Sequence, residues 1–213
     1  MSIISRARTI HVVTHPEATH HVDRVVGGWH DSELTPAGHT AAAAIARALR
    51  ARIPGAAPVF TSDLTRAAQT AAAIGHALGT TPTRDERLRE ISYGEAEGRP
   101  QRWLDDRFVP PPATGDRLRH DFGIPGAETR ESCARRVYAA MDATLAAPGE
   151  HLVIVTHGFA LTFVVAAWIG MPVDAAGRVA FPVTSGSITV LREDGFFHNR
   201  ALVSLGDTTH LTP

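Results

Sequence analysis

Two histidines, His15 and His157, each end a run of β-forming residues, in TIHVVTHP and in HLVIVTHG. An apolar strand that stops abruptly in polar and conformationally special residues is how an α/β enzyme opens into its site. If the two strands are parallel neighbours, the imidazoles lie side by side. Arg66 stands in the first turn of a predicted helix, and Glu90 lies on a loop with Glu97 nearby. Two neutral imidazoles, an arginine and a carboxylate suit an anion whose transfer needs a nucleophile and an acid. Phosphoryl transfer fits that description. One histidine nitrogen attacks phosphorus in line, the guanidinium neutralises equatorial oxygens, the second histidine donates to one of them, and the carboxylic acid protonates the leaving oxygen. The scheme calls for no metal and no cofactor.

Each residue also has a plainer reading. A lone strand-end histidine is more often a satisfied core residue, Arg66 could cap carbonyls or pair with an acid, and a loop carboxylate such as Glu90 is usually just solvated, leaving Glu17 or Glu97 as alternative acids. The turn Gly27-Gly28-Trp29 could be a structural Ω-loop. His15, His20 and His21 invite a metal. Neither a helical His-x-x-x-His nor paired cysteines accompany them, so no metal site is expected.

The elements that must position these groups follow from pattern. TIHVV is β-branched throughout and reads as a buried strand delivering His15 to its carboxyl end. Thr35-Pro36 supplies an N-cap and a first-turn proline for an alanine-rich helix that Pro54-Gly55 ends. A strand at residues 58–61 closes on Ser62-Asp63, expected to cap a helix ending at Gly79. A further extended segment is expected within residues 83–92. Residues 99–126, with Pro110-Pro111-Pro112 and several glycines, read as an insertion with a short helix at 102–107 and then a lid, in which Trp103, Phe108 and Phe122 would line an apolar end of the substrate site. Val137, Met141 and Leu145 mark a helix over 128–146. HLVIV is the most strand-like run, followed by a buried helix closed by Gly170, and residues 187–191 and 201–205 form a hairpin about Asp194-Gly195. Strands alternating with helices predict an α/β fold: three layers, a mainly parallel central sheet with helices on both faces.

With 213 residues, 44% apolar and 20% charged, one domain spanning the chain is expected. A formal net charge of -1 and dispersed arginines give no footprint for nucleic acid. No apolar run is long enough for a membrane span, and MSIISRAR lacks a signal-peptide core. The single Cys133 cannot form an internal disulfide, which fits a cytoplasmic protein with an inert buried thiol. Nothing in the sequence supports a homodimer or excludes one.

Four motifs in order carry a resemblance to a known family. Thr14-His15-Pro16-Glu17-Ala18 is followed by Arg24, Gly28-Trp29, Asp31, Leu34-Thr35 and Gly38; Ser-x-Leu-x-Arg-Ala-x-Gln-Thr-Ala stands at residues 62–71; Leu88 and Glu90 precede Gly94, Glu97 and Gly98; and Thr156-His157-Gly158 follows a strand. Ser185-Gly186-Ser187 is similar to the late small-residue turn. Over residues 9–192 the chain resembles the histidine phosphatase superfamily, in its phosphoglycerate-mutase-like branch. The resemblance implies that His15 is the phosphorylated nucleophile, Arg66 and His157 hold the phosphate, and Glu90 donates the proton to a small phosphorylated substrate. Thr14, Glu17, His21 and Arg24 are the further candidates for substrate or phosphate binding. The departures are Thr14 for arginine, Pro16 for glycine and His21 for asparagine. A neutral hydroxyl is a weaker phosphate partner than a guanidinium fork, and proline removes a backbone N–H. Three outcomes stand open: Arg24 or protonated His21 restores the charge, the pocket takes a less charged group, or binding is kept without catalysis.

Overall fold

The computed structural model describes residues 7–212, so most of MSIISRAR lies outside the described residues. In chain order the elements are β1 (Arg8–Thr14), α1 (Thr19–Asp23), α2 (Pro36–Arg52), β2 (Val59–Thr61), α3 (Thr65–Leu78), β3 (Thr83–Arg84), α4 (Gln101–Asp105), α5 (Arg130–Leu145), β4 (His151–Thr156), α6 (Gly158–Trp168), β5 (Ile188–Glu193) and β6 (Arg200–Asp207). The strands form one sheet in the order β3-β2-β4-β1-β5-β6. β3, β2, β4 and β1 pair in parallel, and β5 runs antiparallel between β1 and β6. This is the mainly parallel α/β architecture expected from the alternation of strands and helices.

Period-two alternation sorts the strand residues between two cores. Ile10, Val12, Leu152 and Ile154 face α5 and α6, where they pack with Val137, Met141, Phe163 and Trp168. Val13, Val59, Val153 and Val155 face α2 and α3 and meet Ile45, Leu49 and Ile74. α6 is apolar on nearly every side and correspondingly buried. Cys133 is buried in the first core, and burial pushes its thiol up, away from reactivity. Among the described residues, no helix is long and apolar enough to cross a membrane.

Three local expectations are corrected. The extended segment at 83–92 shrinks to the two residues of β3, because the Asp85 carboxylate accepts the Arg87 N–H and folds residues Glu86–Leu88 into a 3₁₀ turn. Ser62 accepts the Leu64 N–H, but neither it nor Asp63 caps α3. That role falls to Asp31, which accepts both the backbone N–H (2.7 Å) and the hydroxyl (2.9 Å) of Thr65. In residues 99–126, Phe122 is buried in the core and stacks on Phe108 at 5.3 Å, while Trp103 lies between Arg99 and Arg107. These aromatic groups anchor the segment to the body of the protein instead of lining the site.

At the amino end of β1 and β4, His11 stacks on His151 with ring centroids 5.7 Å apart. His11 is 3% exposed, and among the described residues neither of its ring nitrogens has a hydrogen-bond partner. Burial, followed by His151 and Arg52, lowers its pKa to about 4. The unfolded chain therefore takes up a proton below pH 6.5 that the folded chain refuses, and stability falls as pH drops from 6.5 toward 4. His11→Leu is expected to flatten that part of the profile. Urea denaturation across the range checks it, and an unchanged slope would contradict the assignment.

Candidate active site

β1 and β4 are adjacent and in register, with Thr14 opposite Thr156, so the chain leaves both strands at the same edge and brings His15 and His157 together. Their ring centroids are 5.0 Å apart in an edge-to-face arrangement. The His15 Nδ1 lies 2.8 Å from the Pro16 carbonyl oxygen. Its Nε2 lies 3.2 Å from Arg66 Nε, which can only donate. The two contacts fix one tautomer: Nδ1 carries the proton and Nε2 the lone pair. Burial, with Arg66 next, holds this imidazole well below its ordinary pKa, so it is neutral.

Arg66 leaves the start of α3 and is wholly enclosed. Its Nη2 donates to the Gly28 carbonyl and Nη1 to that of His30, both at 2.7 Å, with the Ser32 hydroxyl 3.4 Å from Nη1. The 27–32 turn thus wraps around the guanidinium. Gln69, on the same helix, accepts the Leu34 N–H and fastens the next stretch of that loop.

Glu90 reaches the start of α6, where its carboxylate accepts the N–H groups of Phe159 (3.1 Å) and Ala160 (3.0 Å) as well as that of Ile91. Burial pushes its pKa above the ordinary value against the opposing pull of those three bonds and of Arg66. Its backbone carbonyl is clamped by Trp29 Nε1 and by Arg136, both at 2.7 Å. Arg136 also donates to the carbonyls of Arg87 and Arg89 and pairs with Glu128. None of Trp29, Arg136 or Glu128 was marked in the sequence as a site residue, since each acts on the backbone that holds Glu90.

A cavity of about 480 Å³ gathers His15, Arg66, Glu90, His21 and Arg24 with His20, Tyr93, Gln101 and Ser185. Gln101 is the contribution of the 99–126 segment. Five of the sequence candidates therefore share one cavity, and three do not line it. Thr14 turns its hydroxyl toward the Thr184 carbonyl (2.9 Å) and Ser187, so it ties β1 to the turn carrying Ser185. The Glu17 carboxylate accepts the Thr35 hydroxyl at 2.6 Å and serves the start of α2. His157 lies behind His15, fully buried, and among the described residues neither of its ring nitrogens has a hydrogen-bond partner. Glu97, the other alternative acid, spends one oxygen on the N–H groups of Trp29 and Tyr93 and on the Ser92 hydroxyl.

Comparison with known proteins follows the same lines. Residues 10–203 match the model for the histidine phosphatase superfamily (branch 1). The chain is 32% identical over 207 residues to a Yersinia pestis protein named "Probable phosphoglycerate mutase GpmB", covering 95% of this chain and 94% of the relative. A mycobacterial glucosyl-3-phosphoglycerate phosphatase superposes with a TM-score of 0.76 at 27% identity, covering 95% of this chain and 100% of that one. Bacillus stearothermophilus YhfR gives 0.76 at 26% identity over 96% of this chain and 100% of its own.

The clamp behind Glu90 can be tested by itself. Arg136→Met removes five hydrogen bonds to oxygen and strands Glu128, and breaking a largely buried pair of this kind costs about 3 kcal/mol. Urea denaturation at pH 7 is expected to show a loss of that order; a loss below about 1 kcal/mol would mean that the pair is no better than a surface one.

Proposed function

The chain belongs to the histidine phosphatase superfamily, and from that premise we propose that it is a phosphomonoester hydrolase that works through a phosphohistidine at His15, without a metal, on a small phosphorylated metabolite of the cytoplasm. The observation that carries this reading is the tautomer of His15. His15 lines the cavity with its lone pair on Nε2, which accepts the Arg66 Nε–H, while the Nδ1 proton is committed to the Pro16 carbonyl.

In the first step the Arg66 Nε–H turns from His15 Nε2 to a phosphoryl oxygen, the freed Nε2 lone pair attacks phosphorus, and the ester P–O bond breaks. The leaving oxygen takes the Glu90 proton, which the raised carboxyl pKa keeps available. In the second step water attacks phosphorus, Glu90 takes a proton from that water, and the P–N bond breaks to return neutral His15. Arg66 neutralises the equatorial oxygens. His157, fully buried, backs the nucleophile edge-to-face from outside the cavity. Arg24 is the further arginine along the cavity and is exposed. Hydrolysis needs only water to reach the phosphohistidine, whereas a mutase must also hold a second phosphoryl group, so a cavity with so few cations supports hydrolysis.

Incubation with p-nitrophenyl phosphate followed by a denaturing quench that preserves phosphohistidine is expected to leave phosphate on His15, and His15→Ala to abolish turnover. Activity that survives this substitution sinks the mechanism. Glu90→Gln is expected to lower kcat by roughly 10²–10⁴-fold, the range for a lost general acid. The loss should be far smaller with a substrate whose leaving group needs no proton, and an equal loss for both leaving groups would remove Glu90 from that role.

A further inference from the structure

His20 belongs to none of the matching motifs, yet it lines the cavity beside His15, with ring centroids 6.0 Å apart. Its Nδ1 lies 2.6 Å from the Ser32 hydroxyl oxygen. Ser32 is buried, and the other group near its oxygen is Arg66 Nη1, which can only donate. The hydroxyl proton therefore has one acceptor among the described residues, His20 Nδ1. That leaves the ring proton on Nε2. Room for this edge of the ring exists because residue 27 is glycine: a Cβ there would lie 3.0 Å from both Nε2 and Cδ2 of His20. His21 reaches the same tautomer by another route, since its Nδ1 accepts the Ala18 N–H at 3.1 Å.

We propose that His20 is a phosphoryl-binding residue of this site, a neutral Nε2–H donor whose tautomer and orientation are set by Ser32, itself held by Arg66. The inference rests on the phosphoryl-transfer reading above and names a neutral donor for a cavity that Thr14, its hydroxyl bonded to Thr184, does not line. Burial, with His21 and Arg66 next, lowers the His20 pKa to about 3, so the donor is uncharged at neutral pH. Ser32 is a positioning residue: it reaches the phosphoryl group only through His20.

The test uses inorganic phosphate and the full chain. Calorimetric titration is expected to show phosphate binding about tenfold weaker in His20→Phe, the effect of one hydrogen bond to a charged group. His20→Gln, whose amide nitrogen sits near the position of Nε2, should return to within about threefold of the starting protein, a residual cost of under one such bond. Long-range ¹H–¹⁵N spectra should show His20 as a single Nε2–H tautomer that becomes mixed in Ser32→Ala. His20→Phe binding phosphate as tightly as the parent overturns the proposal, and so does a His20 found in the Nδ1–H form or a tautomer that ignores Ser32→Ala. Phosphohistidine trapping separates the two readings. A protein that forms no phosphohistidine but binds phosphate through His20 loses the hydrolase mechanism and keeps this inference; phosphate binding and trapping both unaffected in His20→Phe do the reverse.

Discussion

Arg66 carries its charge at 1% exposure. An ion taken that far from water is tolerable only if most of its donors are met, and here the Gly28 and His30 carbonyls, the Ser32 hydroxyl and the His15 ring meet four of the five. The path of the 27–32 turn follows from that demand. Carbonyls aimed inward at a guanidinium bend the chain back on itself, Gly28 takes a left-handed conformation with Tyr93 and Glu97 close behind it, and Asp31 is delivered to the start of α3. The nucleophile, the turn and the helix that carries Arg66 are thus parts of one solvation problem.

A second arrangement, built on backbone carbonyls, holds Glu90. Its peptide oxygen is pinned by Trp29 and Arg136, so the side chain meets the start of α6 from a fixed root. A helix N-terminus favours a carboxylate, and burial disfavours one; the net upward displacement of the pKa says that burial prevails. The strand pair β1 and β4 carries histidines toward both ends, and at the carboxyl end they meet a buried arginine and a buried carboxylate. His11 and His151 stack at the other end, in a second cavity whose charged lining is Arg52, Glu150, Arg192 and Asp207.

The parts of this design legible in the sequence were those with a period or a motif. The runs before His15 and His157 gave the central parallel pair, and the alanine-rich stretches gave the helices. What stayed hidden was the direction of short polar side chains. Thr14 and Glu17 sit within the first motif, but a rotation about one bond sends the Thr14 hydroxyl to Thr184, and Thr35 captures Glu17. His20 showed only as half of a histidine pair, since its meaning lies in Ser32, twelve residues on. Trp103 and Phe122 looked like lid residues because composition cannot say whether an aromatic ring faces a cavity or a core.

Pro16 bears on the lifetime of the covalent state. Its carbonyl holds the Nδ1 proton of His15, and proline's fixed φ stiffens that oxygen's position. On the proposed chemistry, an imidazole that becomes phosphorylated at Nε2 while keeping its Nδ1 proton bears a positive charge, and a cationic ring leaves phosphorus more readily than a neutral one. The residue that looked like damage to the anion pocket then favours quick discharge over storage. On the proposed reading, a phosphoryl group held this way goes on to water and is poorly kept as a reserve.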